Sequence, residues 1–193
     1  LLADPAGTHT HALQSQIQHG LSTTFALAAL AREVQGRMRD FEQVARQLLA
    51  STPGAAMLAL APGGVVRQIA PADGNEALIG QDLRTGPAPE AAQTPGTGGL
   101  TLIGPVELKR GVPGFMWRLP VFMDDATGTP VFWGFAMSVL GLQETLAAAQ
   151  LTQLTELRLG YELWWRNPTS GERQVIAAFA PQGLVAPVDH ALE

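Results

Sequence analysis

From Ala12 to Leu48 the apolar residues recur at every third or fourth position, and this period limits the fold more than any other feature of the chain. Leu13, Ile17, Leu21 and Phe25 fall at four-residue steps; Leu27, Leu30, Val34, Met38, Phe41, Val44 and Leu48 continue at steps of three or four. Such spacing places the apolar side chains on one face of a helix. Gly36 is positioned to divide two helices, and Pro53-Gly54 ends the run, since neither residue extends a helix favourably. The apolar seam has two readings: packing on the domain's own sheet, or pairing with a second copy along the helix. Leu1 to His11 is polar and aperiodic, and a frayed terminus is expected there.

After the stop, the period changes from helical to extended. Ala55–Leu60 and Val65–Ile69 flank Pro62-Gly63-Gly64 and predict a β-hairpin. Asp73–Leu83 reads as a turn and a short helix, and Thr85–Gly99, rich in Pro, Gly, Ala and Thr, as a loop. Leu100–Leu108, Phe115–Phe122 and Val131–Leu140 predict three strands, joined by turns at Gly111–Gly114 and Asp124–Pro130. Leu142–Leu154 is expected to be one helix, followed by a hairpin of Tyr161–Trp165 and Gln174–Phe179 around Asn167–Gly171. The order is helix, two strands, helical connection, three strands. It predicts an α+β, PAS-like fold: a five-stranded antiparallel sheet with a long N-terminal helix and the start of a second, smaller PAS-like unit. The expected divisions are a helical stalk over 1–54, a ligand-binding unit over 55–141, and a second unit over 142–193 that is incomplete in this chain.

Composition narrows the function. With 46% hydrophobic and 15% charged residues the chain has the makings of a packed core. Its formal charge of −5 and the lack of a basic stripe argue against nucleic acid as a partner. There is no cysteine, which excludes disulfides, thiol catalysis and Cys-based zinc sites and fits an oxidising compartment. The longest apolar run, Val131–Leu140, is about half of the roughly 20 residues needed to cross a bilayer, so membrane anchors of a parent protein would lie outside this chain. His9, His11, His19 and His190 all lie outside the expected folded centre. Neither a phosphate-binding Gly-Lys-Ser/Thr loop nor a Gly-x-Ser-x-Gly elbow is present. Asp124-Asp125 reads as a solvated turn. No catalytic residue, cofactor or metal site is expected.

Five short words stand out in order: Leu60-Ala61-Pro62-Gly63-Gly64-Val65-Val66, Gly74-Asn75-Glu76-Ala77-Leu78-Ile79-Gly80-Gln81-Asp82-Leu83, Leu100-Thr101-Leu102-Ile103-Gly104-Pro105, Arg118-Leu119-Pro120-Val121-Phe122, and Phe132-Trp133-Gly134-Phe135. In these words the chain resembles the CHASE family, sensory domains found outside the membrane in histidine kinases, nucleotide cyclases and diguanylate cyclases. The resemblance implies a periplasmic domain of an inner-membrane signalling protein, binding a small molecule that is purine-like or a carboxylate. It also implies a homodimer through the N-terminal helix and a cytoplasmic output in the parent protein, such as a diguanylate cyclase or histidine kinase. Between Leu83 and Leu100 the family has a longer helical stretch, replaced here by Pro87, Pro89, Pro95 and Gly96, which points to a different ligand.

The ligand-site candidates follow. In plant cytokinin receptors of this family an aspartate binds the adenine ring, nine residues before the acid that matches Asp82; Asp73 has that spacing, though Asp-Gly is also a common turn pair. Arg118, a cation in an apolar strand, needs a partner or a solvated face, and is either a ligand anchor or a structural bridge to Glu107 or Asp82. Trp117 points to the opposite face from Arg118. Thr101 and Ile103 share a face of the first of the three strands. By strict alternation Trp133 and Phe135 share a face with each other and with Val131 and Met137, with core packing the default and ligand stacking the alternative for Phe135. Gly80, Gly104, Gly134 and Pro120 read as structural.

Overall fold

The computed structural model describes residues 5–85, 99–107, 113–166 and 171–181. The expected loop Thr85–Gly99, the turns at Gly111–Gly114 and Asn167–Gly171 and the tail beyond Pro181 lie largely or wholly outside them. The chain divides into two compact units, Gln16–Thr145 and a second made of Leu1–Ser15 with Leu146–Glu193.

Helix α1 spans Pro5–Glu33 and α2 spans Phe41–Ser51. The terminus expected to fray is therefore helical from Pro5, a residue suited to the first turn because its missing N–H has no partner there. The break between the helices is built as the sequence indicates: Gly36 (φ 71°) donates its N–H to the Ala31 carbonyl at 2.7 Å. With the Gln35 N–H donating to the Arg32 carbonyl at 2.9 Å, this closes a Schellman-type cap around Gln35, itself left-handed at φ 52°.

The larger unit holds one antiparallel sheet. Its strands are β1 (Ala55–Pro62), β2 (Gln68–Ala70), β3 (Thr101–Glu107), β4 (Pro113–Asp124) and β5 (Pro130–Gly141), in the order β2-β1-β5-β4-β3. This is the PAS-like order expected from the sequence. The β1–β2 turn is made by Gly63 and Gly64, both with positive φ (63° and 85°). The sheet has two apolar faces. On one, Leu58, Leu60, Leu119, Val121 and Ala136 pack with Leu27, Ala28 and Ala31 of α1 and Phe41 and Ala45 of α2. On the other, Met57, Ala59, Phe135, Met137 and Val139 pack with Leu78 and Leu83 of the β2–β3 connection, which begins with a 3₁₀ turn at Glu76–Leu78.

A small polar seam fixes α1 on the first face. Thr24 Oγ1 and Ser138 Oγ are 2.6 Å apart and stand 2.9 and 3.1 Å from the Gly20 carbonyl oxygen, so that two hydroxyl protons serve three contacts. Thr23 and Thr52 hydroxyls lie 2.7 Å apart, tying α1 to the end of α2. Gly20 allows the close approach: a Cβ there would run into Leu140 and lie 2.8 Å from Trp117 Nε1.

One sequence expectation fails in β5. The strands pair Val121 with Gly134 and Phe122 with Phe132, so Trp133 is an extra residue, a β-bulge. Phe132 and Phe135 consequently lie on the connection face, with ring centroids 5.1 Å apart, while Trp133 packs on the helix face. Strict alternation, which would put Trp133 with Phe135, does not survive the inserted residue. Gly134 is at the bulge because its backbone is pressed against the Ala61 carbonyl, with Pro62 Cα 2.8 Å from where a Cβ would stand.

After β5 the single helix expected over Leu142–Leu154 is two: α3 (Leu142–Ala148) and α4 (Leu151–Glu156), separated by Gln150 at φ 55°. A non-glycine residue in the left-handed region carries no sequence signature, so periodicity alone does not reveal the break. His9, expected outside the folded part, is 7% exposed, and its Nδ1 lies 3.0 Å from the Ala149 carbonyl. Strands β6 (Tyr161–Arg166) and β7 (Arg173–Phe179) form the expected hairpin. Among the described residues no helix is long and apolar enough to cross a membrane.

Gly134→Ala is expected to destabilise the fold by about 3 kcal/mol, because the obstacle is backbone that cannot rotate away. Gly128→Ala, in a turn with open space but φ 79°, is expected to cost about 1 kcal/mol. For a chain of this size these correspond to drops in Tm of roughly 6–12 °C and 2–4 °C, measured by thermal melts.

Candidate functional site

Arg118 is the largest fully buried side chain among the described residues, at 1% exposure. It lies in the middle of β4, opposite Met137 of β5 and Thr101 of β3. Directly opposed residues in antiparallel strands share a face. Arg118, Thr101, Ile103 (opposite Met116) and Phe135 (opposite Pro120) therefore all belong to the face turned away from α1 and α2. The sequence candidates Thr101, Ile103, Arg118 and Phe135 are thus brought to one layer.

Two of the contacts of Arg118 locate the guanidinium. Its carbon stands 4.9 Å from the centroid of the Phe135 ring, a cation–π distance. Its Nη1 donates to the Leu83 carbonyl oxygen at 3.0 Å. Burial lowers the guanidinium pKa from its ordinary value, but Arg retains its charge at any physiological pH.

The Leu83 carbonyl is held in place by the connection itself. Val66 N–H donates to the Gln81 carbonyl (3.0 Å), Gly80 N–H to the Val66 carbonyl (2.9 Å) and Leu83 N–H to the Gly64 carbonyl (2.8 Å). Val65 and Asp82 pair as an isolated antiparallel bridge. These bonds seat residues 80–83 on the β1–β2 turn. Arg84 completes the clamp: its Nε and Nη2 donate to the Asp82 carboxylate at 2.9 and 2.6 Å, and its backbone N–H adds a third bond at 2.9 Å. The Arg84 stem lies over Gly64, with Cγ 2.6 Å from where a Cβ would be, so only glycine fits beneath it. Asp82, weighed from sequence as a partner of Arg118, is engaged by Arg84; the side chain of Glu107, the other partner weighed, lies outside the described residues. The hydrogen bonds from Arg84 lower the Asp82 pKa from 3.8 to about 2.

Two further candidates lie elsewhere. Trp117 is 7% exposed on the helix face, with its indole Nε1 beside Gly20. Asp73 is exposed in the turn after Pro71, where Gly74 has φ 80°. Asp125 behaves as the solvated turn residue expected: Oδ1 accepts from Thr127 N (2.8 Å), Thr127 Oγ1 (2.6 Å) and Thr129 N (3.1 Å), which lowers its pKa. Sequence reasoning did not single out the Leu83 carbonyl, because a backbone acceptor leaves no trace in residue type.

No family model and no curated protein matches this chain in sequence. Its fold matches solved structures. One is an extracellular ligand-binding receptor from Desulfohalobium retbaense DSM5692, with a TM-score of 0.62 and 17% identity, covering 83% of this chain and 28% of that one. Another is the ligand-binding domain of the Pseudomonas aeruginosa PAO1 amino acid chemoreceptor PctC in complex with GABA, with a TM-score of 0.56, 22% identity and coverage of 82% and 66%. A third is the extracellular domain of the candidate histidine kinase rpHK1S-Z16, at 0.57, 12%, and 89% and 83%. The chain thus spans about a quarter of the first receptor and two thirds of the chemoreceptor domain.

Because the Asp82 pKa is lower in the folded state, the clamp stabilises the fold fully above pH 3.8 and loses its contribution as pH falls towards 2. Amide exchange at residues 80–83 is therefore expected to be faster in Asp82→Asn than in the parent chain at pH 5–7. The difference should narrow between about pH 4 and pH 2, and shrink in high salt because the pair is exposed.

Proposed function

We propose that this chain is the extracytoplasmic small-molecule sensor domain of a membrane-anchored signalling protein, with its ligand held between the five-stranded sheet and the β2–β3 connection. The observation that carries the reading is Arg118: a cation at 1% exposure, over Phe135 and against a backbone carbonyl, in the layer where the connection meets the sheet. Burying a charge in an apolar layer is expensive, and binding sites are where such groups concentrate. The fold neighbours support the reading, since each is an extracellular or ligand-binding domain of a receptor or candidate kinase. The finer assignment to CHASE rests on the sequence words that resemble that family, as do the periplasmic location and an output such as a diguanylate cyclase or histidine kinase.

The relay we infer runs through the sheet. Trp117 and Arg118 are consecutive on β4, one facing α1 and the other the connection. A ligand that repositions Arg118 alters the β4 backbone on which Trp117 meets Gly20. It can shift the domain only by binding one state more tightly than the other. Phe25, Leu30 and Val34 are exposed on α1 and are the residues we assign to a homodimer contact.

The test is a thermal-shift screen of the 193-residue chain with amino acids, short carboxylates and adenine-type compounds. A ligand at 100 times its Kd adds about 2.7 kcal/mol, a rise of roughly 5–10 °C. The rise is expected to disappear in Arg118→Gln and to persist in Asp73→Ala. No response to any class, with a protein partner captured instead, would replace the small-molecule reading with that of an interaction module.

A further inference from the structure

On the α1 side of the sheet, two buried polar atoms have no hydrogen-bond partner: the donor Nε1 of Trp117 and the acceptor Oε1 of Gln16. Gln16 precedes Gly20 by four residues on α1, which puts both on one face of the helix. A Cβ on Gly20 would stand 2.8 Å from Trp117 Nε1, so the indole N–H fills the space that a side chain at Gly20 would take. In a helix that space lies over the preceding turn, here the turn of Gln16. Residues four apart have Cβ atoms about 5–6 Å from one another, and Gln16 carries two further carbons before its amide oxygen. Rotation of that side chain spans the remaining gap. A buried donor and a buried acceptor are each costly to leave unmade, and each of these is what the other lacks.

The backbone around the pair is already fixed. Thr24, Ser138 and the Gly20 carbonyl hold α1 on the sheet, and Leu140 packs on Gly20 beside the indole. Ser138, directly opposite Trp117 on β5, is engaged in that seam. The remaining freedom belongs to Gln16, whose side chain is only partly buried. We propose that Gln16 and Trp117 form a latch between α1 and β4, open in this structure and closed when Gln16 Oε1 accepts from Trp117 Nε1–H. Closure takes a side-chain rotation and adds a tie between helix and strand one turn before the seam. Gly20 makes the latch possible, because any side chain there would push the indole away from Gln16. The latch does not depend on what meets the opposite face of β4.

The test is nuclear magnetic resonance of the indole N–H protons in the 193-residue chain. There are four tryptophans, and Trp117→Phe identifies the resonance of the latch. A hydrogen bond moves such a proton downfield, and a charged acceptor moves it further than a neutral one. Gln16→Leu, which removes the acceptor, is expected to shift the Trp117 resonance upfield of its position in the unmodified chain. Gln16→Glu, which keeps an acceptor at the same place, is expected to shift it downfield. The other three indole resonances, unmoved, report that each variant is folded. Opposite shifts in the two variants are the signature of the bond, since a change of packing alone has no reason to follow acceptor strength. No shift in either variant, or shifts in the same direction in both, would overturn the latch. A downfield Trp117 resonance that moves upfield only in Ser138→Ala would overturn it too, and would assign the indole N–H to the Ser138 hydroxyl.

Discussion

The bulge at Gly134 is the constraint on which both faces of the sheet depend. Strand β5 is hydrogen-bonded to β1 on one side and β4 on the other, so a change in its register is felt by all three. One inserted residue sends Trp133 to the helices and leaves Phe132 and Phe135 together on the opposite face. Phe135 is then the ring on which the Arg118 guanidinium rests. A regular strand would turn one of the two phenylalanines towards α1, and the aromatic floor of the site would be lost.

The two faces of the sheet, one turned to the helices and one to the β2–β3 connection, are built differently. On the former, Thr24, Ser138 and Gly20 use hydroxyl-to-hydroxyl and hydroxyl-to-carbonyl bonds inside an apolar interface. Each is modest in strength, but breaking one leaves a buried polar group unsatisfied, which penalises any other rotation of α1. On the face turned to the β2–β3 connection, Arg118 lies beside Phe135, Met116 and Ile103, and one of its hydrogen bonds goes to a backbone carbonyl that the chain holds independently. Consecutive residues of β4 contribute to both faces, so the strand is shared by the two.

Much of the fold was legible in the sequence because it depends on local rules. The helix break at Gly36, the stop at Pro53-Gly54, the hairpin at Pro62-Gly63-Gly64 and the three long strands all follow from turn chemistry and period, and they sufficed for the PAS-like order. The failures have two physical origins. Gly134 at the bulge is pressed against Ala61, and His9 is buried against a carbonyl 140 positions away, both contacts between distant residues; the end of α3 is a left-handed Gln150, a local conformation that residue type does not announce. Of the site, alternation correctly placed Thr101 and Ile103 on one face and separated Trp117 from Arg118. Which face met the helices required the sheet. Asp73, chosen by spacing from a resemblance, lies on an exposed turn; spacing does not say how far a turn stands from the core.

The clamp of Asp82 and Arg84 over Gly64 has a consequence for how such a domain diversifies. The near end of the connection is moored through main-chain bonds and a glycine contact, and neither depends on the side chains at Leu78 or Leu83. Those side chains can therefore vary in size and polarity while the mooring persists. A lineage built on this scaffold can change the surface of one short tether by substitution without renegotiating the sheet or the helices packed on its other face.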